Sequence, residues 1–347
     1  MAFDASFNTT APTGSGVGNR EQLLDLTTVL APRQAPVYGL LPKQAATADL
    51  VEWTVDGLRD PNADNAVIEG KDVGDGGGTL VGQFGNLTRL NNRLQHFRDT
   101  FNVSKKQEIF DSVTPVRIQE AEEKAASQVL RDIESAICSD NPAVSGASGA
   151  AGKLRGLGIW LDPTVVDATS AGVHLQKTDA VEEVPDIYKT KTGAVLDGDT
   201  VGTHELTESR FNGMLTSVFE ETGESQDLLL VAGTEVRNAI IDGFTRVQPA
   251  NNATVYNQGD GTEVNYNVEI FQGPYGVVKI LSANPKCLPD QKRAYLLDPS
   301  LLGWSEAMSM GSTMLEDQGG GPRGYIDAMG TLCVKGPNGL GMIKDFA

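Results

Sequence analysis

Residues 114–139, TPVRIQEAEEKAASQVLRDIESAICS, decide how the rest of the chain is read. Thr114 is a helix-capping type, and Pro115 follows at the first helical position, where a missing N–H costs nothing. Ala121, Ala125, Val129, Ile133, Ala136 and Ile137 recur at three- and four-residue spacing, which predicts a helix with one narrow apolar stripe. Glu122, Glu123, Arg131 and Glu134 fall on the opposite face and are expected in solvent. Asp140, Asn141 and Pro142 end the pattern. At 1.5 Å per residue the helix is a rod of roughly 36 Å, about the width of a small domain. One long helix in a chain otherwise rich in Gly, Asn and Thr is a scaffold, and no comparable constellation for chemistry stands beside it.

The 347 residues suffice for two or three compact regions with a buried core. Hydrophobic residues make up 39%, and there are 39 glycines, a balance that points to many loops and extended segments rather than a dense α/β enzyme. A net charge of −18 would repel a phosphate backbone over most of the surface, so tight nucleic-acid binding is not expected. Cys138, Cys287 and Cys333 are far apart and odd in number. Without CxxC or Cys/His spacing they indicate neither zinc nor a disulfide framework, and they read as reduced, semi-buried thiols. The N-terminus lacks the basic start and apolar run of a signal peptide, and no stretch reaches the roughly 18–20 apolar residues of a membrane helix.

Outward from the helix on its N-terminal side, residues 1–45 are polar and weakly periodic, with Leu23, Leu24, Leu26, Val29 and Leu30 as the only apolar patch and Pro32, Pro36 and Pro42 as breakers. They read as an extended arm, disordered or laid across a neighbour. Residues 49–56, DLVEWTVD, alternate with Val51, Trp53 and Val55 on one face, as in a half-buried strand. A long Gly/Asp/Asn loop follows, and the chain returns through the polar run from Gln83 to Phe101, with Phe97, Phe101 and Val103 on one face. The simplest arrangement is a long two-stranded excursion with its tip near Asp72–Gly78, too poor in apolar residues to stand alone. Trp53 is therefore expected to serve contacts between subunits.

On the C-terminal side, a small-residue linker leads to Ile159 and Trp160, and residues 162–206 are acidic and irregular. Leu206, Thr207 and Phe211 form a hydrophobic staple around a helix start; Met214, Leu215, Val218 and Phe219 continue its stripe, and Gly223 ends it. Leu228–Val231 reads as a central strand. Thr234 opens a third helix with Val236, Ile240, Ile241 and Phe244 inward. Val264, Tyr266, Val268 and Ile270 alternate; Gly273-Pro274-Tyr275-Gly276 turns the chain and Val277–Leu281 runs back. Arg293–Leu297 is a strand ended by Asp298-Pro299. The Met- and Gly-rich tail offers two short strands, Tyr325–Met329 and Leu332–Lys335. Helices and hairpins mixed without regular βαβ units predict an α+β fold.

Candidate chemical motifs fail on their own requirements. Gly149-Ala150-Ala151-Gly152-Lys153-Leu154 has Ala147 where a phosphate loop needs its first Gly, and Leu154 where the magnesium-holding hydroxyl belongs. Gly14-Ser15-Gly16-Val17-Gly18 lacks a preceding strand. Asp72–Gly78 and Asn257–Glu263 lack the ligand spacing of calcium loops. His96, His174 and His204 are scattered, with no GxSxG elbow for a triad. Lys71, near the tip of the excursion, is the one residue placed for an inter-subunit bond, against the simpler reading of a solvated charge. No catalytic, cofactor-binding or metal-ligating residue is assigned, and no cofactor.

The order of parts, together with RLNNRLQHFRDTFNVSKKQEIF (89–110), LRDIES (130–135), ESRFNGML (208–215), GPYGVVKILSANPKCLPDQKRAYLLDP (273–299) and the Gly-rich tail, resembles the major capsid proteins of tailed bacteriophages, which share the Hong Kong 97 fold. The resemblance implies an N-terminal arm at 1–45, an extended β-hairpin loop at 46–103, and a spine-helix peripheral domain at 104–160 and 300–347. An axial domain would lie at 161–299, and Val103-Ser104 would mark entry to the spine. It implies a structural protein, not an enzyme, that self-assembles as hexamers and pentamers into an icosahedral head shell around double-stranded DNA. Scaffolding, portal and decoration proteins are further candidate partners, the virion is the destination and the bacterial host cytoplasm the place of assembly. No charged helical segment precedes the arm and no Lys/Asn/Glu crosslinking set is matched, so an uncrosslinked shell without a built-in scaffold is expected. Glycines 74 and 76–78 would let the loop change angle as a shell matures. An encapsulin-like compartment for protein cargo is the alternative; a Gly-rich β enzyme or binding module is a more distant one.

Overall fold

The computed structural model describes residues 35–55, 88–109, 118–161, 194–197, 208–223, 226–245, 270–273 and 275–344, with single positions between them. The long helix, α3, runs Ile118–Ile137, preceded by the short helices α1 (Pro36–Leu40) and α2 (Lys105–Ile109). Thr114 and Pro115 lie outside the described residues. Ala125, Val129, Ile133, Ala136 and Ile137 are buried, as the stripe requires, whereas Ala121 is half-buried.

This stripe lies on a four-stranded sheet of order β1-β10-β11-β4, made of Lys43–Ala45, Leu302–Leu315, Arg323–Val334 and Gln95–Asn102. Phe97 and Phe101 point from β4 into the same core as Ile133, joined by Ile326, Ala328 and Leu332 from β11. The period-2 alternation of β4 delivers those phenylalanines, while His96, Arg98 and Thr100 take its other face. The tail thus departs from the sequence reading. Instead of two short strands, β10 and β11 form one long antiparallel pair, from Leu302↔Val334 to Leu315↔Arg323. Gly330, which broke the apparent strand in two, sits inside β11 because the Trp304 indole lies against it; a Cβ there would overlap the ring.

The excursion is also divided differently. Only β2 (Leu50–Val55) and β3 (Thr88–Arg93) pair as a two-stranded ribbon, and the chain beyond Leu94 leaves it to pair with β11. The predicted tip at Asp72–Gly78 lies outside the described residues, as does the apolar patch of the arm.

A second, six-stranded sheet has the order β5-β12-β9-β6-β8-β7, from Ala194–Asp197, Gly341–Lys344, Ala294–Leu297, Gln226–Ala232, Gly276–Ser282 and Ile270–Gly273. The strand around Leu228–Val231 is internal to it, and Gly273↔Gly276 close the β7–β8 hairpin as the turn residues predict. Beyond the short, buried helix α4 (Leu157–Leu161), helices α5 (Glu208–Thr222) and α6 (Thr234–Thr245) cover one face with Phe211, Met214, Leu215, Val218, Val236 and Ile240. Leu206 is buried beside Phe211, and Gly223 ends α5 at φ 71°. Leu230, Ala294, Leu296 and Ile343 face that helical core; Val231, Tyr295, Leu297 and Met342 face the core of α3 and the first sheet. Mixed parallel and antiparallel strands with helices on one side make the α+β class expected.

Candidate functional site

Four junctions carry the extended pieces of the chain, and each is built from polar groups that join segments distant in sequence. The first fixes the end of the arm. Residues 35–45, expected to be disordered or to lie across a neighbour, pack instead against the chain's own core, with Val37 and Leu41 buried and β1 running parallel to β10 from Lys43↔Trp304. The short helix α1 starts at Pro36 with Ala35 as its cap, a residue with no side chain able to accept. Its first N–H groups are served from elsewhere: Val37 N donates to Glu134 Oε1 at 2.9 Å and Tyr38 N to Oε2 at 2.8 Å. The spacing puts Glu134 on the face opposite the stripe, yet the fold buries it, leaving it 1% exposed. Burial pushes its carboxyl above the usual range, while the Tyr38 and Val37 amides pull the other way. The signal was present, since Glu134 stands three and four residues before Ile137 and Cys138, on the edge of the stripe.

The second junction fixes the ribbon. Trp53 Nε1 donates to Val334 O at 3.0 Å, and its ring packs 6.0 Å from that of Trp160. Asn92, fully buried, donates to Leu332 O at 2.8 Å and Arg155 O at 3.2 Å, and accepts from Arg155 N at 2.8 Å. Leu90 is buried beside them. Trp53 therefore serves its own subunit first, contrary to the expectation of a purely inter-subunit role.

The third lies at the far end of the β10–β11 pair. Asp317 accepts from Gly319 N (2.7 Å), Gly321 N (3.1 Å) and Lys105 Nζ (3.1 Å). The Gly321 amide, the Lys105 ammonium and the Gly319 amide hold its carboxyl down to about 2. Gly321, at φ 119°, presses on Val103 O, where a Cβ has no room. This turn thereby receives the chain as it leaves β4: Val103 N donates to Pro322 O and Lys105 N to Gly320 O. Val103-Ser104 leads into α2, with α3 beginning at Ile118.

The fourth ties α3 to the six-stranded sheet. Arg293 Nη1 lies 2.6 Å from both oxygens of Asp140, and Tyr295 OH donates to Cys138 O at 2.8 Å. Burial raises the Cys138 and Tyr295 pKa values; Cys287 is pushed up to about 11, chiefly by burial. All three thiols are free and buried.

His96 meets Asp327 at 3.2 Å, on the same oxygen that receives Arg98. His174, His204, Lys71 and the two acidic Gly-rich loops lie outside the described residues. Gly149–Leu154 turns a small hairpin closed by Val144↔Lys153, and Leu154 is buried. Among the described residues no three His, Cys, Asp or Glu side chains are grouped to hold a metal, and no helix is long and apolar enough to cross a membrane.

The sequence profile of a family described as SU10 major capsid protein matches residues 4–347. The chain belongs to that family. Solved structures share the fold at low identity. The capsid asymmetric unit of cyanophage A-1(L) superposes with a TM-score of 0.60 at 14% identity, over 94% of this chain and 97% of that one. The capsid of cyanophage P-SCSP1u gives 0.57 at 8%, over 98% and 96%. An encapsulin, SrpI from Synechococcus elongatus PCC 7942, gives 0.50 at 11%, over 95% and 93%. No curated protein sequence matches the chain. The SU10-type capsid protein has the Hong Kong 97 fold and forms an icosahedral phage head shell; its role is structural and its place is the virion capsid.

Proposed function

We propose that the chain assembles in the bacterial host cytoplasm as hexamers and pentamers, which close around double-stranded DNA without reading its sequence. The observation that supports this most is the family match over nearly the whole length, on a fold whose arm end and ribbon base are anchored in one core. In this reading residues 1–45 act as the arm, 46–103 as the extended loop, 104–160 with 300–347 as the peripheral domain and 161–299 as the axial domain. The arm's last ten residues and β4 work as parts of the peripheral core. The charge of −18 suits a wall that must enclose dense DNA without gripping it. No enzymatic step belongs to this reading, and scaffolding, portal and decoration proteins are its further partners.

Negative-stain imaging of the purified chain tests it: closed icosahedral shells are expected, and small discrete oligomers that turn over a substrate overturn it. The likeness to SrpI encapsulin favours one alternative, a shell around protein cargo. Particles isolated from infected cells separate the two, with DNA inside supporting the head shell and an enzyme without DNA supporting the compartment.

A further inference from the structure

We propose that the outward edge of β10 from Gly311 to Leu315 is a docking strand, and that a strand from a second copy of this chain occupies it. This deepens the shell reading and rests on it. On that side of β10, β1 covers only Trp304, Ser305 and Glu306. Beyond Glu306, among the described residues, no strand bonds to β10 there. Two irregularities bend the strand between Glu306 and Gly311, and from Gly311 onward its pairing with β11 is regular, Gly311↔Asp327 to Leu315↔Arg323. The free edge is therefore regular in register from Gly311, beyond the end of its cover at Glu306.

A solitary protein protects such an edge with lysines, prolines or a covering loop, because bare N–H and C=O groups recruit strands. Residues 307–315, AMSMGSTML, carry no charge and no proline, in a chain with 21% charged residues. Met308, Met310, Met314 and Leu315 are 37%, 38%, 52% and 44% exposed. Main-chain pairing supplies affinity at such an edge, and apolar side chains beside it supply fit. Electrostatics selects the partner. Two bodies of charge −18 repel over most of their surfaces, and an uncharged strip is where they can approach without facing like charges.

Hydrogen exchange of peptide 307–315, in dissociated subunits and in shells assembled from the purified chain alone, tests the proposal. Exchange is expected to slow roughly tenfold or more on assembly. Unchanged exchange in shells that have formed overturns the docking strand and leaves the shell reading standing; a chain that forms no shells fails both. Protection that appears only when a different protein is added also overturns it. Met314→Lys is expected to leave the urea midpoint unchanged and cut shell yield roughly tenfold; full yield counts against the proposal. At Gly311 an added Cβ meets nothing closer than Ser309 O at 3.9 Å, so Gly311→Cys is tolerated. Disulfide-linked dimers of Gly311→Cys in oxidised shells assign a symmetric pairing of β10 on β10. Protection without such dimers assigns the strand to another segment of the second copy.

Discussion

Glu134 is a buried carboxylate whose two oxygens are filled by amides 97 and 96 positions earlier in the chain. Removing it leaves both N–H groups without a partner, so Glu134→Ala is expected to cost about 2–4 kcal/mol in urea denaturation at neutral pH. Because burial raises its folded pKa above the unfolded value, its contribution is fully present in acid and is lost as pH rises through the folded pKa. The gap between wild type and Glu134→Ala is therefore expected to widen from neutral to mildly acidic pH. Asp317 has the opposite sign. Held at about 2 against an ordinary 3.8, it stabilises above the ordinary value and loses that effect as pH falls towards 2. Asp317→Asn is expected to be less heat-stable than wild type near neutrality and to match it at the acid end. Trp53→Phe keeps the ring packing but gives up the bond to Val334 O, at about 1 kcal/mol, measured by the same urea titration.

At the scale of elements, the long helix was legible because its apolar spacing is strict and long. Ile133 lies at the centre of that stripe, fully buried. Ile133→Asp is expected to cost upwards of about 4 kcal/mol and to yield aggregated protein, whereas Ile133→Val costs about 1 kcal/mol and leaves a soluble subunit. The strand β10 was not legible, for a physical reason. Every residue from Ala307 to Leu315 is exposed, so no inward-facing set marks a period of two, and two shifts in register disturb what alternation remains. Glycine at 330 hid the continuity of β11, since its cause, an indole pressed on the backbone, comes from another strand. The arm's end was misread because the partner that caps α1 is a side chain on α3, which no local pattern around Pro36 announces.

For the molecule as a whole, order of parts carried more information than any motif: the arm, the ribbon, the spine and the second sheet follow in sequence as the fold lays them out. What sequence could not give were the junctions. Asn92, Glu134, Asp140 and Arg293 are ordinary polar residues until the fold brings their partners from tens or hundreds of positions away. One such shared element has a wider consequence. All four residues of β9 are buried, with Ala294 and Leu296 serving one core and Tyr295 and Leu297 the other. Neither lobe can loosen without baring the floor of its neighbour, so calorimetry is expected to show one cooperative transition for the dissociated subunit. A tile made this way has no half-melted form to offer a shell: both lobes hold together or both are lost.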